Sequence, residues 1–505
     1  MGFVNRVLNI FTTGRLKEID KFCKEPGKVQ HKMYNYLIKH GKKTAFGKEY
    51  RFKDCVNNYD TFRKQVPVSS YEDLKPYIDR IRKGEKNVLW NTEIKWFAKS
   101  SGTTGDRSKY IPVSKEALED CHFRGGKDMI AIHSANYPKS NFLSGKGLAI
   151  GGSQQKDNDK TKYYGDVSAV IINNLPVWAN LKRTPDKATA LMPEWEEKLD
   201  KMADISMREN VTNLSGVPSW TLVLMKKILE ISGKNNLLEV WPNLEFFAHG
   251  GVNFSPYRAE FRRLIPSEKM KYMEIYNASE GFFALQNDLT VNDMLLMLDY
   301  GVFYEFIPVS ESDKKFPNAV SIEDVELNKN YALVISTNGG LWRYLIGDTV
   351  MFTHKYPHKI VITGRTKHFI NAFGEEVIID NAEKALDKAC RATNAIIKEY
   401  HAAPVYMQKD STGAHEWLIE FEQEPNDFSA FTKALDDALK TINSDYEAKR
   451  YHDYNLRMPI VHKAKEGLFY QWLKNKGKLG GQNKVPRLAN NRETIDELLN
   501  INQQM

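Results

Sequence analysis

Apolar side chains in the stretch up to about residue 90 return every three or four positions, the spacing that lines one face of an α-helix. Pro67 and Pro76 punctuate that helical stretch. Its opening, Met1 to Leu16, carries Val4, Val7, Leu8 and Phe11 on one face and predicts an amphipathic first helix. No small-residue cleavage site follows, and Arg6 breaks the pattern of an N-terminal acylation signal, so the segment reads as structure and not as an address. From Lys95 the texture changes to short apolar runs between glycine-rich turns and longer amphipathic stretches. Trp96-Phe97-Ala98 leads into Ser100-Ser101-Gly102, and Tyr110 to Val113 resumes an extended run. Val211 to Leu214, then Gly216 and Pro218, read as strand, turn and helix, with Trp220, Val223, Leu224 and Ile228 on the apolar side. Leu244 to Phe247, then His249-Gly250-Gly251, then an amphipathic stretch from Ser255 to Leu264 repeat the rhythm. Such alternation predicts an α/β core with a largely parallel sheet. Beyond Met294 the pattern becomes strands in succession, at 294–298, 302–307, 331–336 and 359–362.

The last section reads as a separate, smaller unit. Ala382, Ala385, Leu386 and Ala389 fall at helical spacing, Trp417 to Phe421 is strand-like, and Phe428, Phe431, Leu435, Ala438, Leu439 and Ile442 follow the helical period behind Asp427 as a cap. Helix, strand, helix, strand, helix is an α+β pattern, and the boundary falls near Thr363-Gly364-Arg365. The expected organisation is a large α/β domain over residues 1–362 with mixed and parallel sheets, and a small α+β domain over 368–505.

Composition narrows the function classes. At 42% hydrophobic and 27% charged residues the chain is neither disordered nor fibrous. No apolar run approaches the ~18 residues of a bilayer-spanning helix, so no membrane partner is expected. Cys23, Cys55, Cys121 and Cys390 lack metal or redox spacing, which fits a reducing cytosol. The net charge of +8 over 505 residues is a mild bias. Lys463, Lys465, Lys474, Lys476, Lys478 and Lys484 make the C-terminal region basic, but Phe469, Tyr470 and Trp472 among them sit on what reads as a packed helix. A nucleic-acid stripe wants exposed aromatics, so no nucleic-acid partner is expected. The twelve histidines offer no His-Glu-x-x-His, so no zinc enzyme is expected. His415-Glu416 reads as a loop before a strand.

Chemistry gathers at a few turns. Ser100-Ser101-Gly102-Thr103-Thr104-Gly105-Asp106-Arg107-Ser108-Lys109 has two glycines that let backbone amides face an anion, hydroxyl donors and two cations. It is no Walker loop, and a plain hairpin turn is its other reading. Tyr276-Asn277-Ala278-Ser279-Glu280-Gly281 nearly matches a nucleophile elbow, but Asn277 stands where the strained turn wants glycine. Glu280 after a strand is better suited to Mg²⁺, which takes one or two carboxylates plus phosphate oxygens, or it is a solvated loop carboxylate. Trp342-Arg343-Tyr344-Leu345-Ile346-Gly347-Asp348 ends an apolar run with a carboxylate that can accept ribose hydroxyls. His249-Gly250-Gly251 lets a flat base approach the backbone, or is merely a strand-to-helix turn. Lys484 follows Gly480-Gly481, a turn able to deliver it to a ligand. Arg124, Tyr163-Tyr164 and Val177-Trp178 fit an acyl pocket and core packing equally well.

Taken in this order and spacing, the pieces resemble the adenylate-forming enzymes, and more closely the auxin-responsive acyl acid–amido synthetases, which conjugate plant hormones to amino acids and have microbial members too. The likeness spans nearly the whole chain. It is carried by Ser-Ser-Gly-Thr-Thr-Gly at 100–105, Tyr-x-x-Ser-Glu at 276–280, Trp-Arg-Tyr-x-x-Gly-Asp at 342–348, Thr-Gly-Arg-x-Lys at 363–367 and Gly-Gly-Gln-Asn-Lys-Val-Pro-Arg at 480–487. The resemblance implies ATP and Mg²⁺ as cofactors and a carboxylic acid and an amine, an amino acid, as substrates. Ser100, Ser101, Gly102, Thr103, Thr104, Gly105 and Lys109 would hold the phosphates, with Ser101, Thr103 and Thr104 as the main donors. Gly250 and Gly251 would contact adenine, Tyr276 and Ser279 would border the nucleotide, Glu280 would bind Mg²⁺ and Asp348 the ribose. Residues 363–367, with Arg365, would form a hinge, and Lys484 would meet the α-phosphate as the catalytic residue alongside Thr104. Ala278 stands where plant members tend to have a second serine, and Leu345 where they have arginine, so plant substrates are not carried over. Two alternatives remain open: an acyl-CoA synthetase with a thiol acceptor, and an acyl-acid binding protein without turnover.

Overall fold

The structure is a computed structural model that describes the 505 residues apart from 1–2, 101–108, 153, 157–161, 252–253, 312–313, 315–316, 366–368, 371, 373–374, 376, 407–411, 444–445, 448–449, 451–455, 480–483 and 490. Five helices occupy the N-terminal region: Phe3–Lys24, Pro26–Gly41, Ala45–Glu49, Tyr59–Gln65 and Tyr71–Arg82. Local chemistry sets their starts. Thr44 and Asn58 accept from Gly47 N and Thr61 N, and Ser70 and Asp73 form a reciprocal capping box. Pro76 does not end the last helix, against the sequence reading; it lies inside it. A proline there removes one backbone donor, and the cap together with the buried face of Leu74, Ile78 and Ile81 outweighs that loss.

In chain order the next strands are β1 (Trp96–Ser100), β2 (Lys109–Val113), β3 (Lys146–Ala149), β4 (Gln154–Lys156) and β5 (Tyr163–Gly165). A four-stranded sheet runs β2-β1-β5-β4, with β1 antiparallel to β2 and parallel to β5. β6 (Arg183–Thr184), β7 (Val211–Gly216), β8 (Phe246–His249) and β9 (Lys271–Ala278) are separated by helices, among them Trp195–Met207, Pro218–Ser232 and Arg258–Leu264. β10 (Gly281–Leu285), β11 (Met294–Leu296), β12 (Val302–Pro308), β13 (Asn330–Thr337), β14 (Tyr344–Lys355) and β15 (His358–Arg365) follow without long helices. Together with β3 and β6 to β9 they make one sheet of order β12-β13-β14-β15-β11-β10-β9-β8-β7-β3-β6.

The expected largely parallel sheet is therefore parallel in one half only. β6, β3, β7, β8 and β9 pair in parallel, whereas β9–β10, β10–β11, β11–β15 and β12–β13 are antiparallel. The division follows the connections: parallel neighbours need a crossover, usually a helix, while antiparallel neighbours can be joined by a two-residue turn such as Ser279-Glu280. On the crossover helix Pro218–Ser232, Trp220, Leu224 and Ile228 are buried and Val223 half-buried, as the period requires.

The chain divides into two compact units. The first comprises Met1–Phe254, Glu260–Ile346 and Val350–Val361; the second Ser255–Ala259, Gly347–Thr349 and Ile362–Met505. In the second, β16 (Phe369–Ile370) pairs with β17 (Val377–Ile378), and β18 (Ile396–Val405), β19 (Ala414–Gln423) and β20 (Ile460–Lys463) form a sheet of order β18-β19-β20. The helices Ile379–Thr393 and Phe428–Ile442 supply Leu386, Phe431, Leu435 and Leu439 to a core with Trp417 and Ile419. Asp427 caps the second helix by accepting from Ser429 N and Ala430 N. His415-Glu416 is not a loop: both lie within β19, and the wholly buried His415 Nε2 is 2.9 Å from Glu375 Oε1.

Candidate active site

The hydroxyl-rich sequence lies between two strands that pair with each other. Ser100, the last residue of β1, is opposite Lys109, the first of β2. Ser101, Gly102, Thr103, Thr104 and Gly105 lie outside the described residues, with Asp106, Arg107 and Ser108. The strands are anchored by Phe97, which stacks on Tyr164 at 5.4 Å, and by Tyr110 N, which donates to the Tyr71 hydroxyl at 2.9 Å. Lys109 Nζ is 5.8 Å from the Tyr71 ring centroid. Tyr163 stacks on Trp96 at 4.4 Å, so the tyrosine pair serves packing. Arg124 forms ion pairs with Asp299 and Glu18. Val177 and Trp178, 78% and 60% exposed, line neither a core nor an enclosed pocket.

Two motifs that are separate in sequence become neighbours through β8 and β9. These strands pair in parallel with His249 opposite Glu274, which sets Gly250 against Ile275. A Cβ on Gly250 would come within 2.3 Å of the Ile275 carbonyl oxygen, so the close approach demands glycine. Gly251 takes φ of 83°, the left-handed region. His249 stacks on Phe254 at 4.1 Å and fixes the start of the turn. One residue past Ile275 is Tyr276, buried against the edge of Phe283. β9 ends at Ala278, and Ser279-Glu280 forms the turn into β10, where Gly281 pairs back with Ala278. Ser279 is buried, and its Oγ has no hydrogen-bond partner among the described residues. Glu280 beside it is half-exposed.

The role of Asn277 is not legible in the sequence. Its amide oxygen accepts from His122 Nδ1 at 3.1 Å, across a sequence separation of 155. Burial pushes the His122 pKa down to about 4, so the ring is neutral near pH 7 with its proton on Nδ1. His122 ends a π-helical turn, Ala117–His122, a local irregularity common at functional sites. Next to it Cys121 Sγ accepts from Phe282 N at 3.1 Å, and burial raises its thiol to about 12, which leaves it inert. No local spacing signals this pairing.

The Trp342–Asp348 run begins β14 and does not end a strand. Its first residues are core. Trp342 is fully buried and donates Nε1 to Leu89 O at 3.0 Å. Arg343 pairs with buried Glu305, Nη2 to Oε1 at 2.9 Å, and gives Nη1 to Val66 O at 2.6 Å. Asp348, buried, follows Gly347 at φ of 93° and belongs to the second unit. There Thr349 Oγ1 accepts from Thr363 Oγ1 at 3.0 Å, which ties Asp348 to the strand that ends at Arg365. Lys484, also in the second unit, is exposed.

Among the described residues no three His, Cys, Asp or Glu side chains gather to hold a metal alone, and Mg²⁺ shared with phosphates asks for only one or two carboxylates. Glu280 is a half-exposed carboxylate beside the buried Ser279 hydroxyl, which has no hydrogen-bond partner among the described residues.

Models of three consecutive parts of one family match the chain: the GH3 family N-terminal domain over residues 15–270, its central domain over 295–365 and its C-terminal domain over 380–493. A 4-substituted benzoates–glutamate ligase of Arabidopsis thaliana is 22% identical over 563 residues, covering 95% of this chain and 96% of its own length. A jasmonoyl–L-amino acid synthetase of Nicotiana attenuata is 23% identical over 402 residues, covering 66% and 68%. Among solved structures, the GH3.15 acyl acid amido synthetase superposes with a TM-score of 0.77 at 18% identity over 97% of this chain and 95% of that one. A 2-hydroxyisobutyryl-CoA ligase superposes with a TM-score of 0.62 at 10% identity over 95% and 93%. At these identities the superpositions speak to the fold, which is the adenylate-forming one.

Proposed function

Because the chain belongs to the GH3 family, we propose that it is an ATP-dependent acid–amido synthetase, which activates a carboxylic acid as an acyl-adenylate and passes the acyl group to an amine, an amino acid. The observation that carries this reading is the parallel pairing of β8 with β9. It sets the Gly250-Gly251 segment beside the Tyr276–Glu280 turn, where a buried hydroxyl has no hydrogen-bond partner among the described residues. In this reading Gly250 and Gly251 contact adenine, Tyr276 and Ser279 border the nucleotide, and Asp348 accepts the ribose hydroxyls. Ser100 to Gly105 with Lys109 take the phosphates.

The carboxylate and the α-phosphate are both anions, and their repulsion has to be offset before the acyl–phosphate bond forms. Lys484 brings positive charge and Thr104 a donor to that phosphate, and positioning does the rest. A magnesium ion on Glu280 would neutralise further phosphate charge. The carboxylate oxygen attacks the α-phosphorus, and pyrophosphate leaves with the bonding pair. A neutral amine then attacks the acyl carbon and AMP leaves, in a site dry enough to limit hydrolysis. We place a hinge at 363–367, with Arg365, that turns the second unit between half-reactions. Four free thiols, and no helix among the described residues long and apolar enough to cross a membrane, support a place in the reducing cytosol.

The test is pyrophosphate release from Mg-ATP across aryl, indolyl and aliphatic acids, with wild type and Lys484→Ala side by side. Acid-dependent release that the variant loses supports adenylation; silence with every acid, in protein that binds no ATP, ends the reading. The fold is also that of a CoA ligase, which keeps the acyl-CoA synthetase as the second reading. Consumption of free CoA thiol without amine would decide for it, and amide formation with an amino acid against it.

A further inference from the structure

The terminal run Gly480 to Arg487 contains one charged residue so far without a role. Arg487 stands three residues past Lys484 and is held on every side within the second unit. Its Nε donates to Glu399 Oε1 at 2.9 Å, its Nη1 lies 3.5 Å from Glu383 Oε1, and its Nη2 donates to the Tyr257 hydroxyl at 3.0 Å. The guanidinium also lies over the Tyr400 ring, 4.7 Å from its centroid. A planar fork can meet these partners together, and a lysine point charge cannot.

The backbone around it is fixed as well. Pro486 O accepts from His401 Nδ1 at 2.5 Å, Arg487 O accepts from Ala402 N at 2.9 Å, and Ala489 N donates to Ala402 O at 3.0 Å. Leu488 bridges Ala402 in parallel, so the segment adds a short strand-like edge beside β18. Val485 and Leu488 are buried, while Lys484 is exposed where the anchored stretch begins.

We propose that Arg487 is a positioning residue for Lys484: by locking 485–489 onto β18 it fixes the point from which the Lys484 ammonium reaches the α-phosphate. This rests on the reading of Lys484 given above. A misplacement of about 1 Å in such a group can cost about 10²-fold in rate.

Two measurements on the full chain test it. In limited digestion with a lysine-specific protease, Arg487→Met is expected to speed cleavage after Lys484 by roughly tenfold, since cleavage follows the population of the loosened segment. Cleavage elsewhere in the second unit should hold its rate. In acid-dependent pyrophosphate release, Arg487→Met and Arg487→Lys are expected to lower kcat by about 10²-fold, with KM for ATP and acid little changed. In a Lys484→Ala background Arg487→Met should add almost nothing. Unchanged cleavage after Lys484, or equal losses in both backgrounds, overturns the proposal. If Arg487→Met does not fold, Tyr257→Phe, which removes one partner and strands no carboxylate, carries both measurements with the same expected directions. A wild type that releases no pyrophosphate with any acid would end the functional reading, while the protease result would still decide whether Arg487 holds the segment.

Discussion

Gly250 and Ser279 show how little a side chain needs to say to be indispensable. Gly250 is glycine because the Ile275 carbonyl occupies the space of its Cβ, at 2.3 Å. Gly250→Ala must push β8 from β9 and is expected to lower stability by about 1–3 kcal/mol, measured by urea unfolding. It should also weaken ATP binding, followed by calorimetry. Ser279 works the other way. Its buried Oγ has no partner among the described residues, so Ser279→Ala should leave the unfolding midpoint unchanged or slightly higher. The KM for ATP should nevertheless rise several-fold. A stability loss above about 1 kcal/mol, the size of one net hydrogen bond, would show instead that the hydroxyl serves the fold.

Among elements, β14 carries two jobs in one run of residues. Trp342, Arg343 and Tyr344 enter the core, and Asp348 four residues beyond Tyr344 is the candidate ribose acceptor. The Arg343–Glu305 pair is almost wholly buried, with Tyr59 also donating to Glu305 Oε1 at 2.8 Å. Glu305→Gln leaves that guanidinium buried without its counter-charge and is expected to cost about 3–5 kcal/mol in chemical denaturation. The run was legible in the sequence as apolar and strand-like. The partner of its arginine was not, because Glu305 is 38 residues away on β12 and nothing local marks it. The same limit explains His415, which read as a loop residue until Glu375 supplied a buried partner 40 residues distant. The cap at Asp427 was the easier kind of inference, since donor and acceptor are two or three residues apart.

At the scale of the whole molecule the two units should answer acid oppositely. Burial holds His122, His133 and His358 of the first unit at about 4, below the value of an unfolded histidine. Between roughly pH 6.5 and 4 the unfolded chain binds more protons at these rings, so stability falls as pH falls, by up to about 3 kcal/mol per ring. In the second unit burial raises Glu399 to about 7, against the pull of Arg487 and with the repulsion of Glu383 and Glu420. There the folded state holds the extra proton between about 4.5 and 7, so stability rises as pH falls through that window, by at most about 3 kcal/mol. Hydrogen exchange corrected for intrinsic rate, at pH 5 and 7.5, should show peptides of the first unit losing protection at the lower pH and those around β18 gaining it. Glu399→Gln should weaken the second trend and spare the first.

Periodicity, turn residues and caps are local, and through them the sequence by itself determined the helical N-terminal region, the α/β alternation, the strand succession beyond Met294 and the helix–strand pattern of the last section. It also placed extended runs on either side of residues 101–108, at Trp96–Ser100 and Lys109–Val113. The tertiary structure alone decided that the sheet turns from parallel to antiparallel at β9–β10, that Gly250 lies beside Ile275, and that Arg487 is enclosed by Glu383, Glu399, Tyr400 and Tyr257. Strand order and distant charge pairs depend on which surfaces meet once the chain has closed its long loops. No spacing along the chain carries that information.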